Sequence, residues 1–232
     1  MTTYKRHRYP PHIITHAIWL YVRFSLSFRD VQELLSQRGI SVTYEAIRAW
    51  TLKFGPSFAQ TLKKRNYRKG DKWHVDEMCV MINKHRYWLF RAVDEEGFEL
   101  DVMLQARRNK NAVIRFFSKV LNSQAKAPRV IVTDKLLSYK KPCKFMMPEA
   151  DHRRHRRLNN RIENSHKPSR IREKTMVRFK SPRQVQRFLS LHGQVRNLFF
   201  IGRYKSPPDY QRQALKRAFS VWDKATLQEN CP

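Results

Sequence analysis

Trp73-His74-Val75-Asp76-Glu77-Met78-Cys79-Val80 is the stretch on which the fold turns. Before it, apolar residues recur at three- and four-residue steps. From Trp73 the period becomes two, with Trp73, Val75, Glu77 and Cys79 alternating against His74, Asp76, Met78 and Val80, as a strand requires. Asn83-Lys84 makes a turn, and Tyr87 to Val93, rich in aromatic and β-branched residues, is a second strand. Glu95-Glu96-Gly97 turns the chain again into a third strand, Phe98 to Leu104, giving a meander. Asn111 to Asn122 then carries Val113, Ile114, Phe117, Val120 and Leu121 on one helical face. Arg129 to Thr133 is a short apolar strand, expected at the centre of the sheet, that ends in Asp134. Phe145-Met146-Met147 is expected as a fifth strand. Leu158 to Lys167 is expected as a helix bearing Glu163 and stopped near Pro168, where the ring removes a backbone donor. The last long helix is expected over Pro182 to Phe200.

That order of elements predicts an α/β fold: a ribonuclease H-like, mixed five-stranded sheet flanked by helices. It places Asp76 on the first strand, Asp134 at the C-terminal end of the fourth, and Glu163 on a helix packed beside them.

Working back toward the N-terminus, Ile13, Ala17, Leu20, Tyr21 and Phe24 predict an amphipathic helix over residues 12–25. Ser27 with Asp30 three positions on is a capping-box pattern that opens a second helix, with Val31, Leu34 and Leu35 as its stripe and Gly39 as its stop. Ser41 or Thr43 caps a third helix, Tyr44 to about Phe54, with Ala46, Ile47 and Trp50 inward and Tyr44, Glu45, Arg48 and Lys53 outward. Two short helices joined by a tight turn containing glycine predict a helix-turn-helix whose second helix reads DNA, with Tyr44, Arg48 and Lys53 as contacts. A plain three-helix bundle has the same pattern. Lys63, Lys64, Arg65, Arg68 and Lys69 around Gly70 form a basic linker suited to tracking phosphates. The expected division is therefore residues 1–66 for DNA binding, 67–202 for the α/β domain and 203–232 as a C-terminal tail.

Charge names the partner class. Forty-eight Lys and Arg against 19 Asp and Glu give the 232-residue chain a net charge of +29, a self-repulsion that a polyanion relieves, so nucleic acid is the expected partner. A membrane is not expected: the apolar stretch Ile13 to Leu26 is too short to span and is broken by His16 and Arg23. The expected location is cytoplasmic, on the nucleoid. Cys79, Cys143 and Cys231 are too far apart for a zinc knuckle and are expected as reduced thiols. His152 and His155, or His7, His12 and His16, lack the second close pair that zinc needs. Trp50, Trp73, Trp88 and Trp222 are expected in the core, and no nucleophile elbow for hydrolase chemistry is present.

Acids in such a chain are few and informative. Between Asp151 and Arg183 there are 12 Lys or Arg and only 3 acids, one of them Glu163. Phosphodiester chemistry needs an activated hydroxyl or water and a stabilised leaving oxygen, work done by two Mg²⁺ (or Mn²⁺) ions about 4 Å apart. Hard cations take hard oxygen ligands, so Asp76, Asp134 and Glu163 form a candidate metal and catalytic triad. Singly, Asp76 reads more readily as the end of a strand pair, Asp134 as a turn or cap residue and Glu163 as an ion-pair partner of Arg161 or Lys167; it is their joint occurrence in a DNA-binding chain that favours the triad.

Three motifs, Trp73-His-Val-Asp76-Glu77, Val132-Thr-Asp134-Lys135 and Asn159-Asn-Arg-Ile-Glu163-Asn-Ser-His166, resemble those of the DDE transposases of bacterial insertion sequences, above all insertion-sequence family six. The likeness extends to the helix-turn-helix, to Arg91-Ala-Val-Asp94 and to Arg187-Phe-Leu-Ser190. It implies that Asp76, Asp134 and Glu163 bind two divalent ions and that Arg170, seven positions after the glutamate, touches DNA, as does Lys135. Arg161 and Lys167 are counted with them. It further implies a dimer or larger assembly on terminal inverted repeats, joining donor to target DNA replicatively through cointegrates without a covalent protein–DNA intermediate. One departure is the 28 residues between Asp134 and Glu163, against a usual spacing in about the mid-thirties, expected as a trimmed loop around Lys140 to Glu149. The rival readings are a helix-turn-helix regulator, a ribonuclease H-like nuclease or resolvase, and an inactive transposase remnant.

Overall fold

The computed structural model describes residues 4–64, 70–154, 160–201 and 207–227, with residues 160, 161 and 163 described for their backbone alone. The linker residues Arg65, Arg68 and Lys69, the expected helix start at Leu158, His155 and Cys231 lie outside the described residues. The chain divides into two compact units, Met1–Arg65 with Ser190–Pro232, and Asn66–Leu189.

The first unit is helical. Its elements are α1 (Pro11–Arg23), α2 (Phe28–Ser36), α3 (Tyr44–Lys63), the end of α7 (Pro182–Leu198) and α8 (Pro208–Thr226). Ser27 caps α2 through a reciprocal pair with Asp30, and Thr43 caps α3 by accepting from the Ala46 amide. Gly39, at φ +73°, supplies the left-handed residue that ends α2. The buried face of α1 is Ile14, Ala17, Ile18, Tyr21 and Val22, so Phe24, expected inside, is 40% exposed. Contrary to expectation α3 does not end at Phe54: it continues through Pro56, whose missing donor affects only the carbonyl of exposed Leu52. The extra turns bury Phe58 and Leu62, with Phe58 edge-on to Trp222 at 5.6 Å. The residues expected as a tail thus supply a helix to this unit, pinned further where the Tyr4 hydroxyl donates to the Thr226 carbonyl at 2.6 Å.

The second unit is a five-stranded sheet in the order β3-β2-β1-β4-β5, the ribonuclease H-like arrangement. Its strands are β1 (Lys72–Ile82), β2 (His85–Asp94), β3 (Glu99–Gln105), β4 (Val130–Thr133) and β5 (Asp151–Arg154). The β1–β2–β3 meander is antiparallel, turning at Asn83-Lys84, both at positive φ, and at Gly97, φ +90°. Strands β4 and β5 run parallel to β1 and to each other. The middle strand is β1, with β4 beside it, rather than β4 as expected. On one face α4 (Lys110–Gln124), capped by Asn109, packs Phe116, Phe117 and Val120 on Trp73, Val75 and Phe90.

Two expectations fail here. Phe145-Met146-Met147 is not a strand: α5 (Lys140–Met146) runs through it, and Tyr139, Cys143 and Met147, four apart, pack into the core as one helical face. The fifth strand is the polar Asp151–Arg154, which needs no apolar run because at the edge of the sheet alternate side chains face solvent. Second, α6 (Asn160–Thr175) does not stop at Pro168, because the carbonyl that loses its partner belongs to exposed Asn164. The segment between Asp134 and α6 therefore keeps a 3-10 turn (Leu137–Tyr139), α5 and β5 within its short length.

Candidate active site

Parallel pairing aligns the first two acids. The register Lys72↔Val130, Trp73↔Ile131, His74↔Val132, carried on at the same offset, brings Asp76 level with Asp134. Neighbouring strands lie about 4.8 Å apart, so two acids at one height on adjacent strands meet without any unusual backbone. Asp76, Glu77 and Asp134 each offer an oxygen, and these oxygens all lie within 4.8 Å of one another. Asp76 and Asp134 are partly open, with side chains 19% and 29% exposed.

Glu77 is the buried member. It stands in the same row as Trp73 and Val75, facing the core, and its side chain is fully enclosed. Burial pushes its carboxyl up, against the opposing pull of a hydrogen bond from Tyr139 and the positive charge of Arg108. Tyr139, itself buried, is held well above the ordinary phenol range by burial first and by Glu77 next. Arg108 ion-pairs with Glu77, donates to Asp134 Oδ2 at 3.3 Å and lies over the Trp88 ring at 4.8 Å. The other Asp134 oxygen accepts the Leu136 amide at 2.9 Å. Asp134 is therefore oriented from two sides.

Helix α6 closes the opposite face of the sheet. Arg91, the cross-strand neighbour of Asp76, is 2% exposed and donates to the Ser165 carbonyl and, at 2.6 Å, to Ser169 Oγ. It also pairs with Glu99 at 3.0 Å. Ile162 is buried beneath the helix, and His166 Nε2 stands 3.5 Å from Asp76 Oδ2. Burial lowers the His166 pKa, with Asp76 opposing that shift and Arg91 adding to it. Glu163 lies on α6 three residues before His166, and its side chain is outside the described residues.

A family model described as "DDE domain" matches residues 70–200. Over 178 residues the chain is 30% identical to the transposase for the insertion sequence-like element IS431mec of Staphylococcus aureus, covering 75% of this chain and 79% of that one. The transposase for insertion sequence element IS257 in transposon Tn4003, also from Staphylococcus aureus, matches with the same identity and coverage. The chain belongs to the DDE transposases of insertion sequences. Among solved structures, the simian T-cell lymphotropic virus intasome in complex with PP2A regulatory subunit B56 gamma aligns at a TM-score of 0.43, with 13% identity over 76% of this chain and 71% of that one. The HTLV-2 integrase catalytic core domain in complex with magnesium aligns at 0.37, with 14% identity over 53% and 99% of the two chains.

As a DDE transposase the chain is a polynucleotidyl transferase of insertion-sequence family six. The donor set of its cluster, carboxylate oxygens alone and two of them partly solvated, fits a divalent cation that keeps several of its waters.

The other residues named from sequence fall in two places. In the helical unit, Tyr44 is half-buried with Arg29 over its ring at 5.1 Å, Arg48 is exposed and pairs with Glu45 at 2.9 Å, and Lys53 is exposed with Nζ 2.8 Å from His7 Nε2. In the transposase's α/β unit, Lys135 and Lys167 are exposed, Arg170 is exposed and pairs with Glu173 at 3.0 Å, and the Arg161 side chain is outside the described residues. Among the described residues no helix is long and apolar enough to cross a membrane, and Cys79 and Cys143 are free thiols. Glu77, Arg108, Tyr139 and His166 were not picked out from the sequence. The signal for Glu77 was an acid in the core-facing row of β1; Arg108 and Tyr139 carried none.

Proposed function

We propose that this transposase binds the terminal inverted repeats of its element and target DNA, and that Asp76, Asp134 and Glu163 hold two Mg²⁺ (or Mn²⁺) ions beside the scissile phosphate. The observation that carries this is the meeting of Asp76 and Asp134 across β1 and β4, with the partner acid of the family's triad three residues before the histidine that approaches Asp76. Bound there, the ions supply an activated hydroxyl and a stabilised leaving oxygen.

The chain's own residues prepare the site. Arg108 and the Leu136 amide fix both oxygens of Asp134, and Tyr139 and Arg108 fix Glu77. Arg91 holds α6, and with it the backbone of residue 163, against β2 at the position paired with Asp76. Lys135, Arg161, Lys167 and Arg170 neutralise the phosphates of the strand being cut, while α2 and α3 act as a helix-turn-helix with Tyr44, Arg48 and Lys53 toward the groove. The strand end is joined to target DNA replicatively, giving cointegrates, in a homodimer or larger assembly on DNA at the nucleoid.

The test is purified protein with labelled element ends, Mg²⁺ and target DNA. Joined products are expected. Hydrolysis alone would make the chain a nuclease, and retarded but intact DNA a regulator or an inactive remnant. Asp76→Asn is expected to abolish joining while sparing DNA binding; joining by that variant would remove Asp76 from the chemistry.

A further inference from the structure

The segment that follows Asp134 has two faces with opposite characters. Inward, Tyr139, Cys143 and Met147 are buried in the core, and the Tyr139 hydroxyl reaches Glu77, so the segment is locked to the acid cluster. Outward, Lys135, Lys140, Lys141 and Lys144 are exposed, and among and just after them stand Leu137, 75% exposed, and Phe145, 85% exposed. From Lys135 to Pro148 the sequence has these four lysines and no acid.

Lysines alone suffice for phosphate binding, so they leave the apolar pair unaccounted for. A two-fold contact centred on this face is disfavoured, because it would press the lysines of one copy against those of the other. A polyanion with apolar faces suits both features. Nucleic acid offers phosphates to the lysines and base faces to Phe145 and Leu137, and a base face is accessible only where the stack is opened, at a strand end or a kink.

We infer that the outer face of residues 135–145 is a platform for unstacked nucleotides, with Phe145 and Leu137 each against a base face and Lys140, Lys141 and Lys144 against the adjoining phosphates. This deepens the proposed DNA function and rests on it. The platform is fixed rather than mobile, since the same short helix that displays Phe145 is anchored by Cys143, two residues earlier and on its opposite side.

The experiment compares binding of the full chain to a blunt duplex and to the same duplex ending in a few unpaired nucleotides, over a range of salt. Wild type is expected to bind the DNA with unpaired nucleotides about tenfold more tightly than the blunt duplex, the scale of stacking one base. Phe145→Ala and Leu137→Ala are expected to remove that preference without changing affinity for the blunt duplex or its salt dependence, and Phe145→Trp to keep it. Both residues are exposed, so neither variant endangers folding. Lys140→Ala with Lys141→Ala is expected to weaken both DNAs alike and lower the salt slope by about 0.9 for each phosphate no longer neutralised. Wild type that binds both DNAs equally, or Phe145→Ala that keeps the preference, would overturn the platform and leave the DNA function standing. Failure of wild type to bind either DNA would overturn both. A Phe145→Ala that alters only sedimentation would make the surface a contact between copies, against the inference.

Discussion

Arg91 is the residue whose loss should be felt both in stability and in catalysis. It is 2% exposed, pairs with Glu99 at 3.0 Å and ties β2 to α6 through the Ser165 carbonyl and Ser169 Oγ. Arg91→Met keeps the volume and removes the charge and every donor. Breaking one side of a buried ion pair costs about 3–5 kcal/mol, because the other charge is left in a low-dielectric interior. For an α/β unit of this size that corresponds to a fall of about 10–20 °C in Tm. Urea unfolding followed by tryptophan fluorescence measures the first quantity and a thermal scan the second. Adding Glu99→Gln to Arg91→Met should recover part of the loss, as expected of two groups coupled by about 1–3 kcal/mol. At a temperature where the single variant is folded, strand joining should fall about 100-fold, the scale of an ångström's displacement in the helix that carries residue 163. A stability loss under about 1 kcal/mol, or unaltered joining, would refute the assignment of Arg91 as the anchor of α6.

Three further outcomes are expected. Mg²⁺ at about 100 times its dissociation constant should stabilise the wild type by about 2.7 kcal/mol and leave Asp76→Asn unmoved, so an equal thermal shift in both proteins would place the ion elsewhere. Tyr139→Phe deletes a hydrogen bond to an enclosed carboxylate and should cost about 1.5–3 kcal/mol in urea unfolding; a neutral result would detach Tyr139 from the support of Glu77. His16, stacked on Trp19, has its pKa lowered from 6.5 by burial and by Arg38. The folded state therefore disfavours its charged form, so its contribution to stability is complete above about pH 6.5 and is lost as the pH falls through the lowered value. His16→Gln should flatten the stability profile between pH 7 and 5, and an unchanged slope would assign that dependence to other groups.

The period-two pattern from Trp73, the turns at Asn83 and Gly97 and the capping box at Ser27 were all legible, because each is written in adjacent residues. What escaped was set by distant ones. The edge strand Asp151–Arg154 has no apolar alternation, since its order comes from the ladder with β4. Helices α3 and α6 pass through Pro56 and Pro168 because the carbonyls affected are exposed, which propensity alone does not reveal. In the site, Asp76 and Asp134 were legible as scarce acids at strand positions, and their meeting follows from the parallel register. Arg108 was not, because a loop arginine in a chain with 48 Lys and Arg carries no mark until a fold brings it to Glu77.

That guanidinium changes what the acid cluster demands of its surroundings. Clustered anions ordinarily make a native state conditional on whatever ions the medium offers. Here a covalently attached cation is already in place, resting on an indole and touching two of the three carboxylates. The carboxylates' mutual repulsion is thus partly balanced from within the chain, and the fold is expected to persist in a chelator, which a thermal scan with and without EDTA checks.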